Sequence, residues 1–311
     1  MLLVLFNFRG QPHNKALTMS WKFVFILYVA SLSSANAFTL PNSACMKTTF
    51  NTCLTEFHQI ALITAEDNRM TVAEYAKENH IDPTEVGAAY EATGLLTCDK
   101  YAVTANIVGD SHVLVTAGHA FFNEDCSERK VSQCFFSLKF GDTKKYLVDS
   151  TSLISGLCRK DVPNSSPVKP NTDLHEDWAS IRLKESAPVK PYSFPAADLK
   201  ITPNTPVRMV SAMQGNFRVK RVKTVQECMI RDMERNIFVS LETDCNEGPF
   251  ASGAAQFALD SDPLGRNLIA INLGDQVNLK EGSGYNPDFL YAKSIAISGE
   301  FREAIERNIH R

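Results

Sequence analysis

Three stretches of this 311-residue chain hold side chains that could share one reaction. In Val113-Leu114-Val115-Thr116-Ala117-Gly118-His119-Ala120, an apolar β-branched run ends in small residues and delivers a histidine where a strand gives way to a turn. Small neighbours matter because an imidazole that must meet a hydroxyl on one side and a carboxylate on the other cannot be crowded by its own chain. Asp177-Trp178-Ala179-Ser180-Ile181-Arg182-Leu183 sets a carboxylate ahead of an apolar strand. That setting holds it partly buried, where it can fix the imidazole tautomer and stabilise imidazolium. The third stretch runs from Asp244 to Phe257 and carries Ser252 beside Gly253, with small Ala254 and Ala255 leaving room for an acyl group. Together these types suit acyl transfer, with His119 as general base, Asp177 as its orienting acid and Ser252 as nucleophile. His112 and His175 read as surface residues, and Asp173 and Glu176 as solvated loop charges.

The order and local settings of the three resemble those of the trypsin-like, chymotrypsin-fold serine proteases. The family's Thr-Ala-Ala-His-Cys appears here as Thr116-Ala117-Gly118-His119-Ala120, its Asp-x-Ala-x-x-x-Leu as Asp177 to Leu183, and its Gly-x-Ser-Gly as Phe250-Ala251-Ser252-Gly253. The likeness covers about residues 95–311. It implies an all-β fold, a double antiparallel β-barrel followed by a C-terminal helix, to which the residues before 95 add a short N-terminal helical prefix. It also implies an oxyanion hole made by the backbone N–H groups of Ser252 and Phe250, although the family has glycine where this chain has Phe250. Losing one such donor slows an enzyme by roughly a hundred- to a thousandfold. The missing cysteine after His119 points to the bacterial, glutamyl-endopeptidase-like branch. Ala251 stands where trypsin has the aspartate that pairs with a freed N-terminus, and no Ile-Val-Gly-Gly-like start occurs near residue 95, which excludes that activation.

By the same resemblance, Asn246 would form the base of the substrate pocket, and Asn272 and Gly274 would belong to its wall. Asn246 has no charge to select arginine or lysine, and the only histidine after Ser252 is His310, so a glutamate-selecting histidine is missing. A small or apolar residue at the cleaved bond is the expectation. The implied substrate is a protein or peptide, and no metal or cofactor is required. A second reading, from a different class, is a catalytically silent trypsin-like domain that binds protein or peptide, with Phe250 filling the place of the oxyanion hole.

Such a site needs strands to position it. Short candidates run Tyr101 to Val108, Val113 to Thr116, Cys134 to Phe140, Tyr146 to Leu153, Ala179 to Leu183, Pro206 to Met213, Phe217 to Val225, Asn236 to Glu242, Ala254 to Ala258, Asn267 to Leu273 and Phe289 to Ala296. Ahead of them, Thr71 with Glu74 forms a capping box that opens a helix to about Asn79, and Asp82-Pro83 opens a second that Gly94 would stop. Phe301 to Arg307 reads as an amphipathic helix, and Leu157 to Asp173 as a surface loop. The expected domains are a signal peptide over 1–37, with Met19 as a possible start, a prefix over 38–94 that packs on the barrel or serves as a pro-segment, and the protease domain over 95–311.

Net charge near −3 provides no basic field for nucleic acid, and no stretch after the leader is long enough to span a bilayer. Export, to a periplasm or the medium, agrees with an even count of eight cysteines, all after the cleavage point. Spacing suggests the pairs Cys45–Cys53, Cys98–Cys126, Cys134–Cys158 and Cys228–Cys245. A zinc reading is weaker, since no Cys-x-x-Cys pair occurs.

Overall fold

Strands of about five residues, each with most of its side chains buried, can satisfy their backbone only by pairing on both sides. Here they do so by closing twice into barrels. The structure is a computed structural model, and it describes residues 46–47, 53–54, 67–159, 176–195, 201–214, 222–235, 239–259, 264–277 and 290–311. The expected leader, Cys45, His175, Asp173 and most of the 157–173 loop lie outside them. A small antiparallel pair, β1 (Met46–Lys47) with β2 (Cys53–Leu54), precedes the main elements.

The first barrel contains β4 (Thr93–Cys98), β5 (Tyr101–Ile107), β6 (Val113–Thr116), β7 (Phe135–Ser137), β8 (Tyr146–Ser155) and β9 (Ala179–Leu183). Its order is β4-β5-β6-β9-β8-β7, and β7 returns to β4. The second contains β10 (Pro206–Gln214), β11 (Val222–Arg235), β12 (Val239–Thr243), β13 (Ala255–Ala258), β14 (Leu268–Val277) and β15 (Leu290–Ala296). Its order is β10-β13-β14-β15-β12-β11, closed by β11 on β10. Both barrels are antiparallel throughout, and closure leaves neither with a free edge.

β11 is longer than expected. Gln226 to Glu234 alternates buried or half-buried with exposed positions except at the bulge between Ile230 and Asp232, which breaks its register with β12, and its four charged residues hide the pattern from a hydrophobic scan.

From residue 67 the described part of the prefix packs on this pair of barrels. β3 (Met70–Thr71) adds to β11, with Thr71 opposite Thr224 and Met70 opposite Val225. Next comes α1 (Val72–Glu78), opened by the Thr71–Glu74 capping box, and α2 (Pro83–Ala89), capped by Asp82. Tyr75, Ala76, Val86, Ala89 and Tyr90 are buried in one core with residues of both barrels. The Tyr75 hydroxyl donates to Glu227 Oε1 at 2.8 Å, and Arg208 Nη1 donates to the Tyr90 hydroxyl at 2.9 Å. Gly94 does not end α2, which stops at Ala89. It lies inside β4, where an added Cβ would come within 2.4 Å of Ser137 O on β7, so the close approach of two strands explains the glycine.

The chain's α3 (Gly299–Ile309) packs back on the first barrel, with Phe301 stacked on Trp178 at 5.0 Å between ring centroids and Asn308 Nδ2 donating to Ser180 Oγ at 2.9 Å. Among the described residues, no helix is long and apolar enough to cross a membrane.

Two of the expected disulfides are corrected. Cys98 pairs with Cys134 and Cys126 with Cys158, while Cys228–Cys245 is as expected. Sheet register is the cause: Leu96 opposes Phe136 and Thr97 opposes Phe135 across β4 and β7, which brings Cys98 to Cys134 with Cα atoms 4.3 Å apart. Proximity in sequence had suggested Cys126 for Cys98, but strand pairing decides the partner.

Candidate active site

His119 sits in the single turn Gly118–Ala120 that follows β6, whose four residues are all buried and hold the turn's start rigidly. Asp177 is wholly buried just ahead of β9, the strand paired with β6. Its two oxygens have separate tasks: Oδ1 accepts the His119 backbone N–H at 2.7 Å, and Oδ2 lies 2.7 Å from His119 Nδ1. An ionised carboxylate can only accept, so in the neutral imidazole this contact favours the tautomer with its proton on Nδ1.

Room for this grip depends on Gly118. A Cβ there would stand 2.9 Å from Ser155 Oγ and 3.0 Å from Trp178 O, which accounts for glycine where the resembled motif has alanine. The stack of Trp178 on Phe301 fixes the residue next to Asp177.

Ser252 arrives from the second barrel, on the loop between β12 and β13. That loop is fastened to β5 of the first barrel: Thr104 N donates to Ser252 O at 2.9 Å, Thr104 Oγ1 to Phe250 O at 2.7 Å, and Asn106 Nδ2 to Gly253 O at 2.7 Å. Thr116, at the end of β6, donates through Oγ1 to Thr104 O at 2.6 Å, so the loop lands beside the strand that delivers His119. Gly253 has φ +81°, and a Cβ on it would be 2.0 Å from Thr104 O and 2.5 Å from Thr116 Oγ1. No other residue fits there.

The loop turns twice, with Ala251 N donating to Gly248 O and Ala254 N to Ala251 O. Phe250 lies in the left-handed region at φ +71°, its ring packed with Leu95, Ala102, Ala212 and Met213. Among the described residues, neither the Phe250 nor the Ser252 backbone N–H donates to a protein acceptor, and no hydrogen bond joins the Ser252 hydroxyl to His119.

Asn246 and Asn272 are both fully buried. Asn246 Nδ2 donates to Asn68 Oδ1 at 2.7 Å. Asn272 binds the turn at three points: its O accepts from Gly253 N at 2.6 Å, its N donates to Ala254 O at 2.9 Å, and its Nδ2 reaches Ala251 O at 3.4 Å. Gly274 borders open space. His112 is partly exposed and pairs with Asp110, and His310 is exposed at the end of α3.

Sequence reasoning missed Thr104 and Asn106. Their signal was present: two polar residues inside the buried run Val103 to Ile107 must find hydrogen bonds, and they find them on the loop that carries Ser252.

Two closed six-stranded antiparallel barrels followed by a C-terminal helix make up the chymotrypsin fold. A solved structure of a Glu endopeptidase in complex with MPD is similar at a TM-score of 0.57 and 13% identity, covering 80% of this chain and 100% of that one. A thermostable serine protease from an extremophilic microorganism follows at a TM-score of 0.48 and 13% identity, covering 71% of this chain and 98% of its own. Neuropsin, from mouse brain, has a TM-score of 0.48 and 14% identity, covering 71% of this chain and 95% of its own. No protein-family model and no curated protein matches the sequence.

Proposed function

We propose that the chain is an exported serine endopeptidase that cleaves peptide bonds through His119, Asp177 and Ser252. The observation that carries this reading is the two-point hold of buried Asp177 on the backbone and ring of His119, each bond 2.7 Å long. It orients the imidazole and fixes its tautomer, which a structural histidine does not need. His119 Nε2 takes the Ser252 proton as the hydroxyl attacks the carbonyl carbon, and the imidazolium is stabilised by Asp177. The N–H groups of Phe250 and Ser252 face the oxyanion. His119 then gives the proton to the leaving amine, and water repeats the sequence on the acyl-enzyme. Catalytic hydrogen bonds to the nucleophile are often long without substrate, so a Ser252–His119 bond is expected to form with substrate in place.

Cleavage after a small or apolar residue remains the proposed preference, with Asn246, Asn272 and Gly274 around the pocket. Three disulfides support an oxidising compartment, outside the cell or in a periplasm. Residues 1–37 are proposed as the removable leader, and 95–311 as the catalytic domain.

Phe250 in place of glycine favours a second reading, a silent protein-binding domain. A fluorophosphonate probe separates the two. One adduct on the protein by intact mass, and none on Ser252→Ala, is the expected result. No adduct on folded, disulfide-intact protein would refute the enzyme and leave the binding domain.

A further inference from the structure

Resting on the reading of Ser252 as nucleophile, we propose that Asn68 and Arg69 are positioning residues: they clamp the stretch entering the nucleophile turn and thereby aim the N–H groups of Phe250 and Ser252. Asn68 bridges two elements, with Oδ1 accepting from Asn246 Nδ2 at 2.7 Å and Nδ2 donating to Glu227 O on β11 at 2.8 Å. Arg69 Nη1 donates to Glu247 O at 3.1 Å. Its guanidinium is held in place by Asp67, with Nε on Oδ1 and Nη2 on Oδ2, both at 2.7 Å. This is the two-pronged pairing that fixes direction as well as charge. The Arg69 side chain is only 2% exposed.

From the opposite side, Gln226 Nε2 donates to Asn246 O at 2.7 Å and Gln226 Oε1 accepts from Asn246 N at 2.9 Å. Cys245 is bonded to Cys228. Asn246 is therefore fixed through its N–H, its carbonyl and its amide, and Glu247 through its carbonyl. The next residue, Gly248, accepts the bond from Ala251 N that forms the turn.

The two N–H groups proposed to face the oxyanion have no protein acceptor among the described residues, so their direction is set by how the ends of the turn are held. Thr104, Asn106 and Asn272 hold the far end, and the prefix clamp holds the near end. A hole is useful only when its donors are fixed before the oxyanion forms. These clamp residues are internal to the chain, so the turn is ordered without a freed α-amino group. Residues from Asp67 onward thus belong to the working enzyme, and the removable part of the prefix ends before them.

The experiment compares Arg69→Ala, Asn68→Ala and Arg69→Lys in the full chain, with Glu74→Ala as a prefix control that breaks only the capping box. Amide hydrogen exchange is followed at Ala251 and Gly253, together with fluorophosphonate labelling rate and melting temperature. Arg69→Ala and Asn68→Ala should speed exchange at Ala251 and slow labelling by about tenfold or more, toward the loss of one oxyanion donor. Arg69→Lys, which retains a donor for Glu247 O, should recover part of both, and Glu74→Ala should lower only the melting temperature. If Arg69→Ala fails to fold, Asn68→Ala and Arg69→Lys decide. Unchanged exchange and labelling in the folded variants, with melting lowered as in the control, would overturn the clamp. If the parent takes no label, the nucleophile reading fails on its own, and the exchange at Ala251 still accepts or rejects the clamp.

Discussion

A bulky residue at φ +71° allows a test in which the usual ranking of two small residues inverts. Phe250→Ala and Phe250→Gly both remove the ring from its contacts with Leu95, Ala102, Ala212 and Met213. Truncating a fully buried Phe to Ala costs about 3–5 kcal/mol, and this half-buried ring should cost roughly half of that in either variant. What separates them is the backbone. A side chain in the left-handed region costs about 1–2 kcal/mol, which Ala retains and Gly relieves. Gly gives back about 0.5–1 kcal/mol through its freer unfolded chain. Phe250→Gly should therefore be the more stable by roughly 0.5–1 kcal/mol, or about 2 °C in melting temperature for a domain of this size. Urea titration of the disulfide-intact variants, at matched m-values, measures the difference. Ala equal to or more stable than Gly would refute the left-handed backbone at this position, and with it the N–H direction on which the proposed hole depends.

Asp177→Asn should retain the fold but favour the wrong tautomer at His119, slowing fluorophosphonate labelling by about ten-thousandfold, as in the serine-protease template; a loss under tenfold would count against the triad. Gly253→Ala should destabilise by roughly 2–4 kcal/mol, from backbone strain plus overpacking against Thr104 and Thr116, and thermal unfolding would detect it. Burial pulls the Lys223 amine down to about 7, helped by nearby Lys139, while Nζ donates to Tyr90 O at 2.6 Å. Between about pH 7 and the ordinary lysine value, the unfolded chain binds the extra proton, so this group makes the protein more stable as pH rises through that window. Melting curves from pH 6.5 to 9 should show the rise in the parent and its absence in Lys223→Met.

How much of this could be read in the sequence depended on the range of the interaction involved. The pairing of His119 with Asp177 was legible because each lies in its own recognisable stretch: a buried strand, then small residues, and a carboxylate ahead of β9, whose bounds matched the expectation. The α1 and α2 starts were legible for the same reason, since a cap involves residues two or three apart. Cys98 found Cys134 instead of Cys126 because register across β4 and β7 is set by the whole barrel. Gly94 read as a helix stop because its true constraint, Ser137 O, is a strand away. The bonds of Asn68 and Arg69 reach residues 178 positions further along, which no window can see.

The fastening of the Ser252 loop to β5 also governs when the site can exist. Thr104 and Asn106 reach across 146 and 147 residues to grip the loop, and Trp178 rests on Phe301 of a helix that follows every strand. Contacts of such separation form late, after long loops have closed. A chain synthesised only as far as β9 could build the first barrel and its histidine turn, yet it would lack both the Ser252 hydroxyl and the Phe301 buttress beside Asp177. The proposed site is thus complete only once the last helix is in place, a delay written into the topology.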